Sequence, residues 1–196
     1  AISYGITRLS IRYAGWAAGL LLLLMVAGAS LALKVQAESD LLKFFGPEHP
    51  LTVSTDRVEK ALVGVTALEI VVDGPARDAF KNVELLQRIQ KLQQQVEALP
   101  QVDRAFSMMD IVEEMNWAFN DEDPAFRSLP ADDRMLAQLL LIYDGRDLQE
   151  LVNPDFQRMR ILLNVNVHGA NAIAAVIADI EQLIAQANMP QLKWQM

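Results

Sequence analysis

Cysteine is absent from this chain, and histidine occurs only twice, as His49 and His168. Without cysteine there is no disulfide, no thiolate metal site and no sulfur nucleophile. The two histidines are far apart and show neither HxxxH nor HxH spacing. They fall short of the N/S ligand set that zinc needs, so no metal is expected. The GxSxG elbow, the Walker loop and the GxGxxG turn are also missing, which removes the usual hydrolase nucleophile and the usual phosphate cradles. Asp121-Glu122-Asp123 lacks the glycine and terminal glutamate of an EF-hand and reads as a solvated turn rather than a calcium loop. Neighbouring acids such as Glu113–Glu114 and Asp132–Asp133 do not converge on one helix face. No cofactor and no enzymatic activity are expected.

Charge is missing altogether from Ala14 to Leu33, AGWAAGLLLLLMVAGASLAL, where Ser30 is the one clearly polar residue. A helix rising about 1.5 Å per residue carries such a run across the roughly 30 Å of bilayer hydrocarbon. Only a helix or a closed barrel satisfies its backbone in lipid, and a lone segment closes no barrel. The run therefore predicts a transmembrane helix. Arg8 and Arg12 precede it, while Lys34 is soon followed by Glu38 and Asp40. This bias predicts a cytoplasmic N-terminus and an exported remainder. A cleavable signal peptide is the rival reading, since Val35-Gln36-Ala37 suits cleavage, but the run exceeds the roughly 7–15 residues of a signal core. Gly15 and Gly19 form a GxxxG, joined by small residues at Ala14, Ala18, Gly28 and Ala32, and are read as membrane-packing positions for another helix.

Basic residues are in short supply beyond that run: 15 against 25 acidic ones, a net charge of −10. That argues against nucleic acid and anionic headgroups as partners of the exported part. About 160 residues remain there, enough for one domain with its own core. The missing initial Met and the abrupt end at Met196 are read as cuts in something longer.

Five segments are expected. Residues 1–37 are the cytoplasmic edge and transmembrane helix. Residues 38–66 are an elbow, SDLLKFFGPEHPL, followed by a short helix near Asp56, capped by Ser54 or Thr55 and ended by Gly64. Residues 67–108 make a first β-α-β unit. Its parts are the apolar strand Leu68–Gly74, an amphipathic helix with Leu85, Ile89, Leu92, Val96 and Leu99 on one face, and a strand from Val102 to Met108. Residues 109–157 are a helical insertion. Ile111, Val112, Met115 and Phe119 share a face there, and a second helix opens at Asp132 or Asp133 and closes at Gly145. Residues 158–196 repeat the β-α-β grammar. Met159, Ile161, Leu163, Val165 and Val167 alternate along a strand, a helical stripe runs from Ile173 to Ile184, and an incomplete strand carries Leu192, Trp194 and Met196. The expected class is α+β, one transmembrane helix followed by a ferredoxin-like (split β-α-β) domain with a helical insertion. That fold hosts many unrelated functions.

The informative chemistry is apolar and adaptable. Met108, Met109, Met115, Trp117 and Phe119 lie close together, with Phe106 and Phe126 on either side. Methionine-rich surfaces repack around varied ligands, and aromatic rings add contact area at low entropy cost. These five are candidate substrate-binding residues. The competing reading is that most of them plug the core.

Several stretches, in order, resemble one family, the resistance–nodulation–division (RND) superfamily of bacterial exporters. The closest branch is the one related to the mycobacterial large membrane proteins and the hopanoid and sterol transporters. The likeness is carried by the apolar helix followed by Asp40–Phe45 and Pro47–Leu51, then Leu68–Gly74 and Leu99–Ser107 leading into Asp110–Val112. Leu151-Val-Asn-Pro-Asp-Phe156, running into the Arg158–Val167 strand, completes it. The resemblance implies the first helix of one half of a transporter, plus most of that half's periplasmic porter domain. The implied activity is proton-motive-force-driven export of hydrophobic or amphiphilic, lipid-like molecules across the bacterial inner membrane. The implied partners are membrane lipid, the hydrophobic cargo, and the remaining helices and second half of the transporter, with a homo-oligomer or a periplasmic partner besides. The family's proton-relay acids lie in later helices, so none maps onto this chain. The alternative is a single-pass anchor whose ferredoxin-like module assembles an envelope complex.

Overall fold

The computed structural model describes residues 15–16, 18–30, 45–46, 48–61, 64–143 and 145–196. The chain divides into two units, Ala1–Glu38 and Ser39–Met196.

In the first unit, residues 15–16 and 18–30 are helical, and the large side chains Trp16 and Leu20–Val26 are all exposed. Ser30 Oγ donates to the carbonyl of Ala27 at 2.8 Å, the back-bond by which a hydroxyl satisfies itself on a helix. No helix among the described residues is long and apolar enough to cross a membrane. Ala14, Ala17 and residues 31–33 of the expected span lie outside the described residues, as do residues 1–13 and 31–44 around it.

The second unit is a mixed α+β fold on a four-stranded antiparallel sheet. In chain order its elements are α1 (Pro50–Ala61), β1 (Thr66–Asp73), α2 (Val83–Glu97), β2 (Val102–Ser107), α3 (Met108–Phe119), α4 (Asp133–Ile142), α5 (Arg146–Leu151), β3 (Arg158–Val165), α6 (Ala170–Ala187) and β4 (Lys193–Gln195). Single 3₁₀ turns sit at Ala79–Lys81 and Pro124–Phe126. The sheet order is β2-β3-β1-β4, so the two strands of each β-α-β unit are separated by one strand of the other.

Alternation along the strands decides the faces. Ile70 and Val72 of β1, and Met159, Ile161, Leu163 and Val165 of β3, are buried on one side, where α2 contributes Leu86, Ile89, Leu92 and Val96 and α6 contributes Val176 and Ile180. Each such side chain, fully buried, stabilises the fold by about 1.5–3 kcal/mol. The opposite side of β1 and β3 carries two bidentate cross-strand ion pairs. Arg160 donates to Glu69 (Nη2 to Oε2, 2.6 Å) and Arg158 to Asp73 (Nη2 to Oδ2, 2.9 Å). Those guanidiniums hold the carboxyls of Glu69 and Asp73 below the usual range. Being largely solvated, such pairs contribute less than about 1 kcal/mol apiece.

β2 is an edge strand with a bulge. Val102 pairs with Val165 and Arg104 with Asn164, so Asp103 is the extra residue. Its carboxylate accepts from the Gly64 N–H (2.6 Å) and from Asn166 Nδ2, tying the start of β1 to the end of β3. Gly64 passes so close to β3 that a Cβ there would lie 2.2 Å from the carbonyl oxygen of Val165. The bulge puts Arg104 and Phe106 on the ion-paired side of the sheet, and Phe106 faces Leu162 across the ladder.

Several boundaries differ from expectation. The short helix starts at Pro50 rather than near Asp56, because proline at the first helical position needs no N–H partner. The His49 carbonyl accepts from Val53 N–H at 3.0 Å and its ring nitrogen lies 3.3 Å from Leu51 N, so His49 performs the capping expected of Ser54 or Thr55. Strand β2 stops at Ser107, so Met108 opens a helix instead of ending a strand. Ser107 and Asp110 form a capping box at that junction. Gly145 does not close the helix expected to end there: α4 ends at Ile142 with Tyr143 as its C-cap, and Gly145 stands at the N-cap of the six-residue α5.

Candidate functional site

The insertion creates a groove beside the β2 edge. A concavity of about 630 Å³ opens between Arg104 and Phe106 of β2, one face of α3, Arg127 in the following loop, and Tyr143 after α4. On α3, Ile111, Met115 and Ala118–Phe119 recur at helical spacing and supply its apolar floor and lip. The volume lies within the roughly 300–1,000 Å³ of small-molecule sites. The apolar surface continues outside the groove, where Leu141 and Ile142, next to Tyr143, are 86% and 62% exposed.

What holds α3 in place is a buried polar network at its N-terminus. Ser107 Oγ donates to Gln93 Oε1 at 2.7 Å, and Gln93 Nε2 donates to Asp110 Oδ2 at 2.9 Å. Asp110 Oδ2 also accepts from Ser107 N–H at 2.8 Å, completing the cap. The other end is tied down by buried Asn116, whose Nδ2 donates to the carbonyls of Phe126 and Ser128, each at 3.0 Å. That bond brings the acidic turn, with Asp121 and Glu122 at φ 55° and 60°, back onto the helix and delivers Arg127 to the groove. At the far end of the insertion, Asn153 Oδ1 accepts from both Gln157 N–H (2.9 Å) and Arg158 N–H (2.8 Å) and sets the entry into β3.

The charged rim is specific. Arg127 donates to Glu114 Oε2 at 2.8 Å and lies over the Trp117 ring, 5.0 Å from its centroid. Arg104 lies over the Phe106 ring at 5.8 Å. Glu113, half-buried, accepts from Gln90 Nε2 at 2.8 Å. Burial pushes its carboxyl above the usual range; the Gln90 bond and Arg127 oppose that rise, and neighbouring Asp110 adds to it.

No protein-family model matches the chain, and no curated protein matches its sequence.

The five candidate residues part company in this geometry. Met108 and Met109 are fully buried in the main core and offer a ligand no surface. Met115 is nearly buried yet lines the groove, and Phe119, 57% exposed, forms its lip. Trp117 points elsewhere on α3 and stacks with Arg127 rather than lining the concavity. In the first unit, a Cβ at Gly15 or Gly19 would meet no atom within 4 Å, leaving that face of the helix open. Sequence reasoning passed over Arg104, Glu113 and Tyr143. Arg104 and Phe106, two residues apart, share a face in any strand, but only the Asp103 bulge turns that face away from the one buried Val102 occupies, and Tyr143 reaches the groove through the packing of α4 on α3. Among the described residues no group of three or more His, Cys, Asp or Glu is arranged to hold a metal ion.

The walls of the groove are apolar and aromatic, and its polar groups sit at the rim.

Proposed function

We propose that this chain supplies a substrate-handling porter domain to a proton-motive-force-driven transporter that exports hydrophobic or amphiphilic, lipid-like molecules across the bacterial inner membrane. The groove between β2 and α3 is the observation that carries the proposal: an open apolar channel with a charged rim suits a molecule with a greasy body and a polar end. The strand order β2-β3-β1-β4, with α2 and α6 on one side, supports a ferredoxin-like domain. The charge-free run Ala14–Leu33, helical over its described part and exposing Trp16 and Leu20–Val26, supports a transmembrane anchor that leaves the acidic domain in the periplasm. Cargo held in the groove is released when the domain moves relative to the rest of the transporter, and proton flow through the other helices drives that motion.

Gentle extraction of the intact protein in a lipid-retaining polymer, followed by mass spectrometry of the co-purifying molecules, tests this. Ala118 is exposed and lines the groove, so Ala118→Trp fills the channel without entering the core. Wild type is expected to carry an apolar or amphiphilic species that the Ala118→Trp variant lacks. Identical profiles from the two proteins would remove the groove from the transport path.

A further inference from the structure

Five charged side chains line the groove: Asp110, Glu113 and Glu114 against Arg104 and Arg127, a net charge of −1. They are not equally free. Glu114 and Arg127 neutralise each other at 2.8 Å. Asp110 accepts from Gln93 Nε2 and Ser107 N–H as part of the α3 cap. Arg104, exposed, is engaged with the face of Phe106. Glu113 differs. It is partly removed from water, its hydrogen bond comes from the neutral amide of Gln90, and among the described residues no cation lies within ion-pair distance of it.

We propose that the groove takes an amphiphile with a cationic head, a protonated or quaternary amine, held by the Glu113 carboxylate and the rings of Phe106, Phe119 and Tyr143, with its apolar body along Ile111, Met115 and Ala118. This rests on the reading of the groove as a ligand site. The physical reason is charge complementarity in a half-dry place. A carboxylate that has lost part of its hydration without gaining a direct ion-pair partner, with Arg127 acting on it only from farther off, is stabilised by an arriving cation more than a fully solvated one is. Aromatic faces attract cations independently. The molecule already uses that attraction twice at this rim, with Arg104 over Phe106 and Arg127 over Trp117. An anionic head meets Glu113 and Asp110 as like charges, with Arg104 alone opposing that repulsion, and a neutral head can gain a hydrogen bond from a carboxylate but no charge pairing.

Three probes of closely matched chain length separate the possibilities: octyltrimethylammonium, octanoate and octanol. Each is titrated into the full chain, held in lipid nanodiscs and labelled with ¹³C at the methionine methyls. The Met115 methyl reports on the groove, while those of buried Met108 and Met109 serve as internal references. Octyltrimethylammonium is expected to shift Met115 saturably and to bind about tenfold more tightly than octanoate, a ratio worth roughly 1.4 kcal/mol. Glu113→Gln is expected to erase that preference while leaving octanol binding unchanged, and Glu114→Gln is expected to preserve it. If octanoate binds as tightly as the cation, or Glu113→Gln leaves the ratio intact, the cationic head is refuted and the groove survives as a ligand site. If none of the three probes moves Met115 relative to Met108 and Met109, both readings fall.

Discussion

Two residues of the insertion, close in sequence and both apolar, are predicted to behave in opposite ways when truncated to alanine. Met109 is fully buried at the start of α3, inside the main core. Its truncation forfeits the transfer energy of the thioether chain and leaves a cavity, and the magnitude for a buried methionine is about 2–5 kcal/mol. Phe119 ends the same helix but is 57% exposed. Complete burial of such a side chain is worth about 1.5–3 kcal/mol, so the portion that Phe119 buries corresponds to about 0.6–1.3 kcal/mol. Urea denaturation followed by circular dichroism measures both differences, and titration with octyltrimethylammonium measures binding. Met109→Ala is expected to unfold at a much lower urea concentration. Phe119→Ala is expected to keep nearly all its stability and to lose binding severalfold, because it removes one wall of the groove. The reasoning is refuted if Phe119→Ala loses as much stability as Met109→Ala, which would make Phe119 a core residue and the groove a packing defect.

Other consequences follow from single contacts. Gly64→Ala places a methyl group against the Val165 carbonyl, and the backbone shift this forces should cost roughly 1–3 kcal/mol in urea denaturation. Ser107→Ala removes the α3 cap and strips a partner from buried Gln93; a loss of about 1–2 kcal/mol is expected, and faster amide exchange at Met109 and Asp110 would locate it at the helix start. Glu113 has a folded-state pKa above its unfolded one, so the native state holds its proton more tightly. The stability this adds is complete below the unfolded pKa and is lost as pH rises through the raised folded value. Glu113→Gln should therefore be more stable than wild type near neutral pH, with the gain disappearing in acid. A gain independent of pH would show that desolvation of the charge is not its source.

Much of the architecture was legible because it depends on period and punctuation. Met159, Ile161, Leu163 and Val165 alternate as a half-buried strand must, and Leu92 and Val96 repeat as one helix face must; both patterns report burial, which the fold then supplies. A helix start at Asp132 or Asp133 was legible, and the structure makes Asp132 the cap, its carboxylate accepting from Met135 N–H at 2.8 Å. Less visible were features too local or too short to leave a periodic pattern. The start of α1 at Pro50 relies on His49, and α5 is only six residues long, too short for a periodic signal. The candidate site was legible by composition but not by direction. Residues 108, 109, 115, 117 and 119 form one apolar population in the sequence, yet consecutive helical positions point to different sides, and only Met115 and Phe119 reach the groove. Glu113 carried no signal of its own. Its character comes from partial burial beside Gln90, a residue on a different helix.

The account depends most on the acidic domain standing outside the inner membrane. The chain has no cysteine, so Gln138→Cys, on the exposed face of α4, introduces a single reactive thiol. A maleimide that cannot cross the inner membrane, applied to intact bacteria expressing the full-length protein, is predicted to label that thiol to the same extent before and after the inner membrane is permeabilised. Labelling that appears only after permeabilisation would put the groove in the cytoplasm and contradict the proposal.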